Sequence, residues 1–114
     1  MRILSGEAAR EVRAHGSEGV TFAPLTAPGA IGAAVQAAWF RLAPGGRIGS
    51  HPAVVPQLLV VVEGRGVVVG GDGVEREIAA GEAAYWDAGE VHETRSSDGL
   101  VAIVIEADGL RLRA

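Results

Sequence analysis

Pro52 and Pro56, four positions apart in the stretch Gly45 to Gly64 (GGRIGSHPAVVPQLLVVVEG), constrain the fold more than any other feature of the chain. Each pushes the residue before it, His51 or Val55, towards extended backbone. Two such residues so close together exclude both a helix and a single uninterrupted central strand. His51 and Gln57 are therefore expected on either side of a bend. Pro44-Gly45-Gly46 reads as a turn before it, and the longest apolar run of the sequence follows Gln57.

A second cluster, Gly81 to Ser96 (GEAAYWDAGEVHETRS), places His92 just after the glycine turn at Ala88-Gly89, 41 positions beyond His51. Two turn-and-strand segments of this kind can face each other across a small sheet. Around them the period-two pattern predicts further strands. Val20 to Leu25 reads as an edge strand ending at Pro28-Gly29, and Ile31 to Ala43 as a long strand apolar on both faces. Gln57 to Glu63 and Gly66 to Val69 read as a hairpin joined through Gly64-Arg65, and Gly70 to Gly73 turns the chain into Val74 to Ile78. Ala83 to Trp86, Val91 to Arg95, Leu100 to Glu106 and an edge strand within Leu110 to Ala114 complete the series. Before them, Glu7 to Ala14 is either a short helix or part of an arm that crosses onto a partner subunit. Short strands at regular spacing with glycine turns give a β-sandwich or barrel.

Composition narrows the chemistry. A chain of 114 residues fits one domain. Its 17 glycines and abundant valine, against only 2 Phe, 2 Trp and 1 Tyr, suit a turn-rich all-β fold. With no cysteine there is no thiolate site or disulfide, and with no lysine there is neither a Schiff base nor a P-loop. A net charge of −4, with arginines scattered outside Arg111 and Arg113, argues against nucleic acid as a partner. The absence of a leader pattern and of an apolar run of membrane length predicts a protein that is not membrane-bound and is cytoplasmic.

The two histidine clusters resemble the two motifs of the cupins. Gly45, His51, Ala53, Gln57 and Gly64 fall on the positions of the first motif, and Gly81, Asp87, Gly89, His92 and Ser96 on those of the second, with spacing kept in full. The resemblance covers about residues 35 to 107. It implies an all-β, cupin-type double-stranded β-helix (jelly-roll barrel) with little helix, preceded by an arm and edge strand (residues 1–30) and followed by a tail (residues 108–114) around a barrel of residues 31–107. It also implies metal positions at His51, Ala53, Gln57 and His92. Four residues depart from the pattern: Ala53 replaces a histidine, Gln57 a glutamate, Asp87 a proline and Ser96 an asparagine. Ala53 cannot ligate. An amide oxygen is a legitimate hard ligand, so His51, Gln57 and His92 remain as candidate ligands for zinc, iron, manganese or nickel.

Each candidate has a bland counterpart. His51, Gln57 and His92 could simply line a lumen and bond to one another or to water. Glu90, in the turn before His92, is the better candidate general base of the two glutamates that flank it, although a carboxylate at a strand end is more often a surface charge. Glu93 is expected to point away from His92 by alternation. Trp39, Phe40, Tyr85 and Trp86 are read first as core or interface packing, and His15, with no motif around it, as solvated. The leading expectation is a homodimeric cupin that holds a divalent metal and binds or transforms a small polar organic molecule. The alternative is a non-catalytic, metal-free cupin-type module that binds a ligand or serves as a dimeric scaffold.

Overall fold

The computed structural model describes residues 1–6, 9–27 and 35–113. Eight strands run in chain order: β1 (Arg10–Glu11), β2 (Glu18–Pro24), β3 (Gln36–Pro52), β4 (Gln57–Val69), β5 (Glu75–Ala79), β6 (Ala83–Trp86), β7 (Val91–Ser96) and β8 (Leu100–Glu106). A 3₁₀ turn, Ala14–Gly16, is the one helical element among the described residues that exceeds a single position. Among the described residues no helix is long and apolar enough to cross a membrane.

The barrel closes because β3 and β4 are each long enough to pair with different strands along their length within one eight-stranded sheet. The first half of β3 pairs with β2 and β8, and its second half with β7. The first half of β4 pairs with β6 and β8, and its second half with β5 and β7. All of these pairings are antiparallel. Inward-facing residues alternate with outward-facing ones, so Leu42 and Phe40 on β3, Leu59 and Val61 on β4, and Leu100, Ala102 and Val104 on β8 meet in one core with Val20, Val68, Ile78 and Trp86.

The strand that follows Pro56 differs from the expected hairpin. Gln57–Val69 is one strand that bends at Gly64 rather than two strands joined through Gly64-Arg65. Gly64 has φ of +79° and stays paired with Leu100, while the register against β8 slips between Val61 and Glu63. A β-bulge with a left-handed glycine turns the strand without ending it. In the same way β3 runs through Pro44-Gly45-Gly46, with Gly45 at φ of +82°, where a turn was expected. The hairpin that does form is β4 to β5, through Gly70 to Gly73, closed by the Gly73 N–H donating to the Gly70 carbonyl at 3.0 Å.

The N-terminal region also departs from expectation. Glu7 and Ala8 lie outside the described residues, but Arg10–Glu11 is extended and pairs with Phe22 and Thr21, which excludes a helix reaching Ala14. Three apolar residues, Ala8, Ala9 and Val12, are too few to hold a short helix on the barrel, whereas pairing satisfies the backbone. β2 therefore lies between β1 and β3 rather than at the edge. Pro28, Gly29 and residues 31–34, where the first long strand was expected to begin, lie outside the described residues, and no strand forms over residues 110–113.

Candidate functional site

The bend between β3 and β4 brings the two motif histidines face to face. His51 pairs in register with His92 across β3 and β7, and Pro52 with Val91. The two rings lie 4.5 Å apart, centroid to centroid, at 63°. Both point into a chamber of about 130 Å³ inside the barrel, which Gln57, Phe40, Leu59 and Thr94 help to line.

The two rings are oriented alike. Nδ1 of His51 lies 2.7 Å from the carbonyl of Gly49, and Nδ1 of His92 lies 3.3 Å from that of Glu90. A carbonyl only accepts, so each Nδ1 carries the proton in the neutral ring and each Nε2 is left with its lone pair. This is the tautomer in which a histidine ligates metal through Nε2, with the other nitrogen held by a backbone oxygen. His92 is held in the neutral form strongly. Burial, and then the neighbouring His51, lower its pKa to about 4, against the smaller opposing pull of Glu90. Trp86 completes that burial by stacking on His92 at 4.5 Å and 20°, its indole N–H donating to the carbonyl of Val69 at 3.2 Å.

Gln57 starts β4 and also lines the chamber. Its Nε2 donates to a carboxylate oxygen of Glu106 at 3.2 Å, so its amide oxygen is the end left to accept or ligate. Ala53, at the position of the family's second histidine, is buried in the loop between the strands, with its N–H on the carbonyl of Glu90 and its own carbonyl accepting from the N–H of Gly89. Among the described residues no group of three or more His, Cys, Asp or Glu side chains is placed to hold a metal ion. Two imidazoles and one amide oxygen are the donor set at hand, and they fit a cation that accepts nitrogen and neutral oxygen ligands.

Glu90 is not among the residues that line the chamber. One carboxylate oxygen accepts the N–H of Gly71 at 2.8 Å and the other that of Asp87 at 2.9 Å, so the side chain ties the β4–β5 turn to the turn before β7. What Glu90 gives the site is its carbonyl, on His92. Glu93 lies on the outside, 3.6 Å from Arg47 and 3.9 Å from Arg95.

His15, expected to be solvated, instead joins the site. Its ring lies flat on that of His51, 4.5 Å away at 8°, and it lines the same chamber. A tight turn and two hydrogen bonds hold it there. The 3₁₀ turn places His15 in left-handed backbone, φ 58° and ψ 28°. The hydroxyl of the buried Ser17 accepts the N–H of Gly49 at 3.0 Å, and Arg47 donates to the carbonyl of Gly16 at 3.1 Å. Gly49 has to be glycine for this, since a Cβ there would run into the His15 carbonyl. The rings of His15 and His51 are parallel, so their nitrogens do not converge on one point, and His15 closes the site rather than adding a ligand.

Residues 38–106 match the family model described as a cupin domain. No curated protein matches the chain. Among solved structures it is similar to the polyketide cyclase RemF from Streptomyces resistomycificus, with 21% identity over 99% of this chain and 88% of that one and a TM-score of 0.79. It is also similar to a predicted oxalate decarboxylase from Thermotoga maritima, with 21% identity, 91% and 96% coverage and a TM-score of 0.78. A Cupin 2 conserved barrel domain protein from Salinispora arenicola gives 21% identity, 96% and 90% coverage and a TM-score of 0.75. At such identities the likeness concerns the fold.

Proposed function

The chain belongs to the cupin family, and from that premise we propose that it holds a divalent metal through His51, Gln57 and His92 and binds or transforms a small polar organic molecule in the barrel. The observation that carries this reading is the matched pair of imidazoles. Each has Nδ1 on a backbone carbonyl two residues earlier, and each is left with a lone pair on Nε2 inside one chamber. A buried pair that merely filled the core would have no need to share that orientation.

The role of each residue follows from its surroundings. His51 and His92 supply neutral nitrogen. Gln57 supplies an oxygen whose amide is fixed by Glu106. Trp86 and His15 cover the outer faces of the two rings and limit access of water. A divalent metal, when bound, polarises an oxygen of the ligand, and two imidazoles with one amide leave positions open for such an oxygen. The names of the similar structures include a cyclase and a predicted decarboxylase, and both are compatible with that use of the chamber.

Elemental analysis of protein purified without a tag or chelator tests the reading. Near-stoichiometric zinc, iron, manganese or nickel is expected in the wild type and none in a His51→Ala, His92→Ala double variant. Equal metal content in the two would overturn it and leave the metal-free binding module.

We also propose a homodimer formed through the outer face of the β3–β8–β4 part of the barrel. Trp39, Ile103 and Val60 stand in one row across β3, β8 and β4 and alternate with core residues, so they face outwards. A half-buried tryptophan among aliphatic residues on an outer sheet face suits a partner surface.

A further inference from the structure

Next to the histidine chamber lies a larger recess of about 350 Å³, and the two share the walls formed by Phe40, Gln57 and Val104. Most of its lining plays no part in the proposed metal site. Phe22 and Phe40 are cross-strand partners on β2 and β3, with rings 5.8 Å apart at 27°. Pro24 and Ala38 continue the same inward row. Two offset rings beside small aliphatic groups make a slot that accepts a flat apolar body.

The polar groups of the recess are few and uncharged in sum. Gln36, Glu106 and Gln57 pair in register across β3, β8 and β4, and so form a polar row. Gln57 donates to Glu106 at 3.2 Å, and the Thr26 hydroxyl donates to the Gln36 amide oxygen at 3.5 Å. The Gln36 amide nitrogen is buried with no hydrogen-bond partner among the described residues. Turning that amide over does not cure the defect, because the nitrogen would then meet Thr26 and the oxygen would be left alone. A buried polar atom without a partner is costly, and such atoms in a binding site mark where a ligand supplies the bond. Arg10, with its guanidinium 5.9 Å from the centre of the Phe22 ring, and Glu106 balance each other's charge, and among the described residues no cluster of cations lines the recess to receive a phosphate or a carboxylate.

We propose that the recess binds a planar hydroxyaryl carbonyl compound of one or two fused rings. The ring lies along Phe22 and Phe40, and a hydroxyl–carbonyl pair satisfies Gln36, since that pair can both accept and donate. The proposal rests on the metal reading only in directing the ligand's inner end past Gln57 towards His51 and His92. The recess itself needs no metal. A sugar would leave most of its hydroxyls against phenylalanine, and a phosphorylated compound would leave its charge unpaired.

Isothermal titration calorimetry with ortho-hydroxyacetonaphthone, on protein kept in a chelator and on metal-loaded protein, tests this. Acetylcyclohexanone serves as the control, because its enol carries the same oxygen pair on a ring that is not aromatic. Saturable one-to-one binding of the naphthone is expected in both preparations. It should weaken about tenfold or more in Gln36→Leu and in Phe22→Leu, each checked for folding by circular dichroism, and the control should bind about tenfold more weakly. No binding to the wild type, equal binding of the control, or affinity unchanged in both variants would each overturn the proposal. Metal content measured on the same samples separates the two readings. Metal retained without naphthone binding defeats the ligand class alone, whereas naphthone binding by protein that takes up no metal on loading supports the ligand class and defeats the metal site.

Discussion

The ring of His15 lies on that of His51 with planes 8° apart, although 36 positions separate them and only His51 belongs to a motif. The stack covers a face of His51 that the barrel leaves open. If it holds the ring in its ligating orientation, His15→Ala should weaken metal binding roughly 2- to 10-fold, the range expected for an aromatic pair. His15→Phe, which keeps a stacking ring, should restore most of that loss. Competition against a chromogenic chelator measures both. Unchanged affinity in His15→Ala would reduce the stack to packing.

His92 makes stability depend on pH in a definite direction. Its pKa is about 4 in the folded protein and 6.5 in the unfolded chain. Between those values the unfolded state binds a proton that the folded state refuses, so stability falls as pH drops from about 6.5 towards about 4 and is unaffected by this group above that window. Urea denaturation of the metal-free protein at several pH values should show this fall. The fall should be shallower in His92→Gln, which cannot titrate. Parallel curves for the two proteins would show that burial does not depress this group.

Glu90 is expected to matter for stability and not for the metal. Its carboxylate oxygens accept from Gly71 and Asp87 at the surface, outside the chamber. Glu90→Ala should cost about 1 kcal/mol, the central net value for a hydrogen bond, seen as a lower midpoint in denaturant. Metal content should stay at the wild-type level. A variant that folds as well as the wild type but loses its metal would return Glu90 to the site.

What the sequence made legible follows from how local each signal is. The prolines at 52 and 56 and the glycine turns act on neighbouring residues, and they carried the reading of the bend, of β6, β7 and β8, and of His51 and His92 as partners. Gly64-Arg65-Gly66 misled because its composition is that of a hairpin turn. The strand continues there since a left-handed glycine also makes a bulge, and the choice is set by pairing with β8 more than 30 positions away. Glu90 lies at the expected turn, but alternation does not say which backbone N–H groups a turn carboxylate will find. His15 left almost no local mark. The His-Gly-Ser sequence at 15–17 was the available hint of a tight turn, and its partner Gly49 lies on another strand.

The outer face formed by β3, β8 and β4 yields the last prediction. Trp39 pairs in register with Ile103, and Ile103 with Val60, while the inward neighbours of these residues, among them Ala102 and Val104, are fully committed to the core. A sheet face that is apolar on the outside as well has to be covered or to remain a liability in water. Arginine in place of Trp39 would set two like charges close to each other across a two-fold axis and remove the largest side chain of the row. Loss of a central tryptophan costs interfaces on the order of 2 kcal/mol or more, a factor of about 30 in dissociation constant. Light scattering at micromolar protein should therefore give a dimer for the wild type and a folded monomer for Trp39→Arg. A monomeric wild type, or a dimer that Trp39→Arg leaves intact, would place the partner surface elsewhere or remove it.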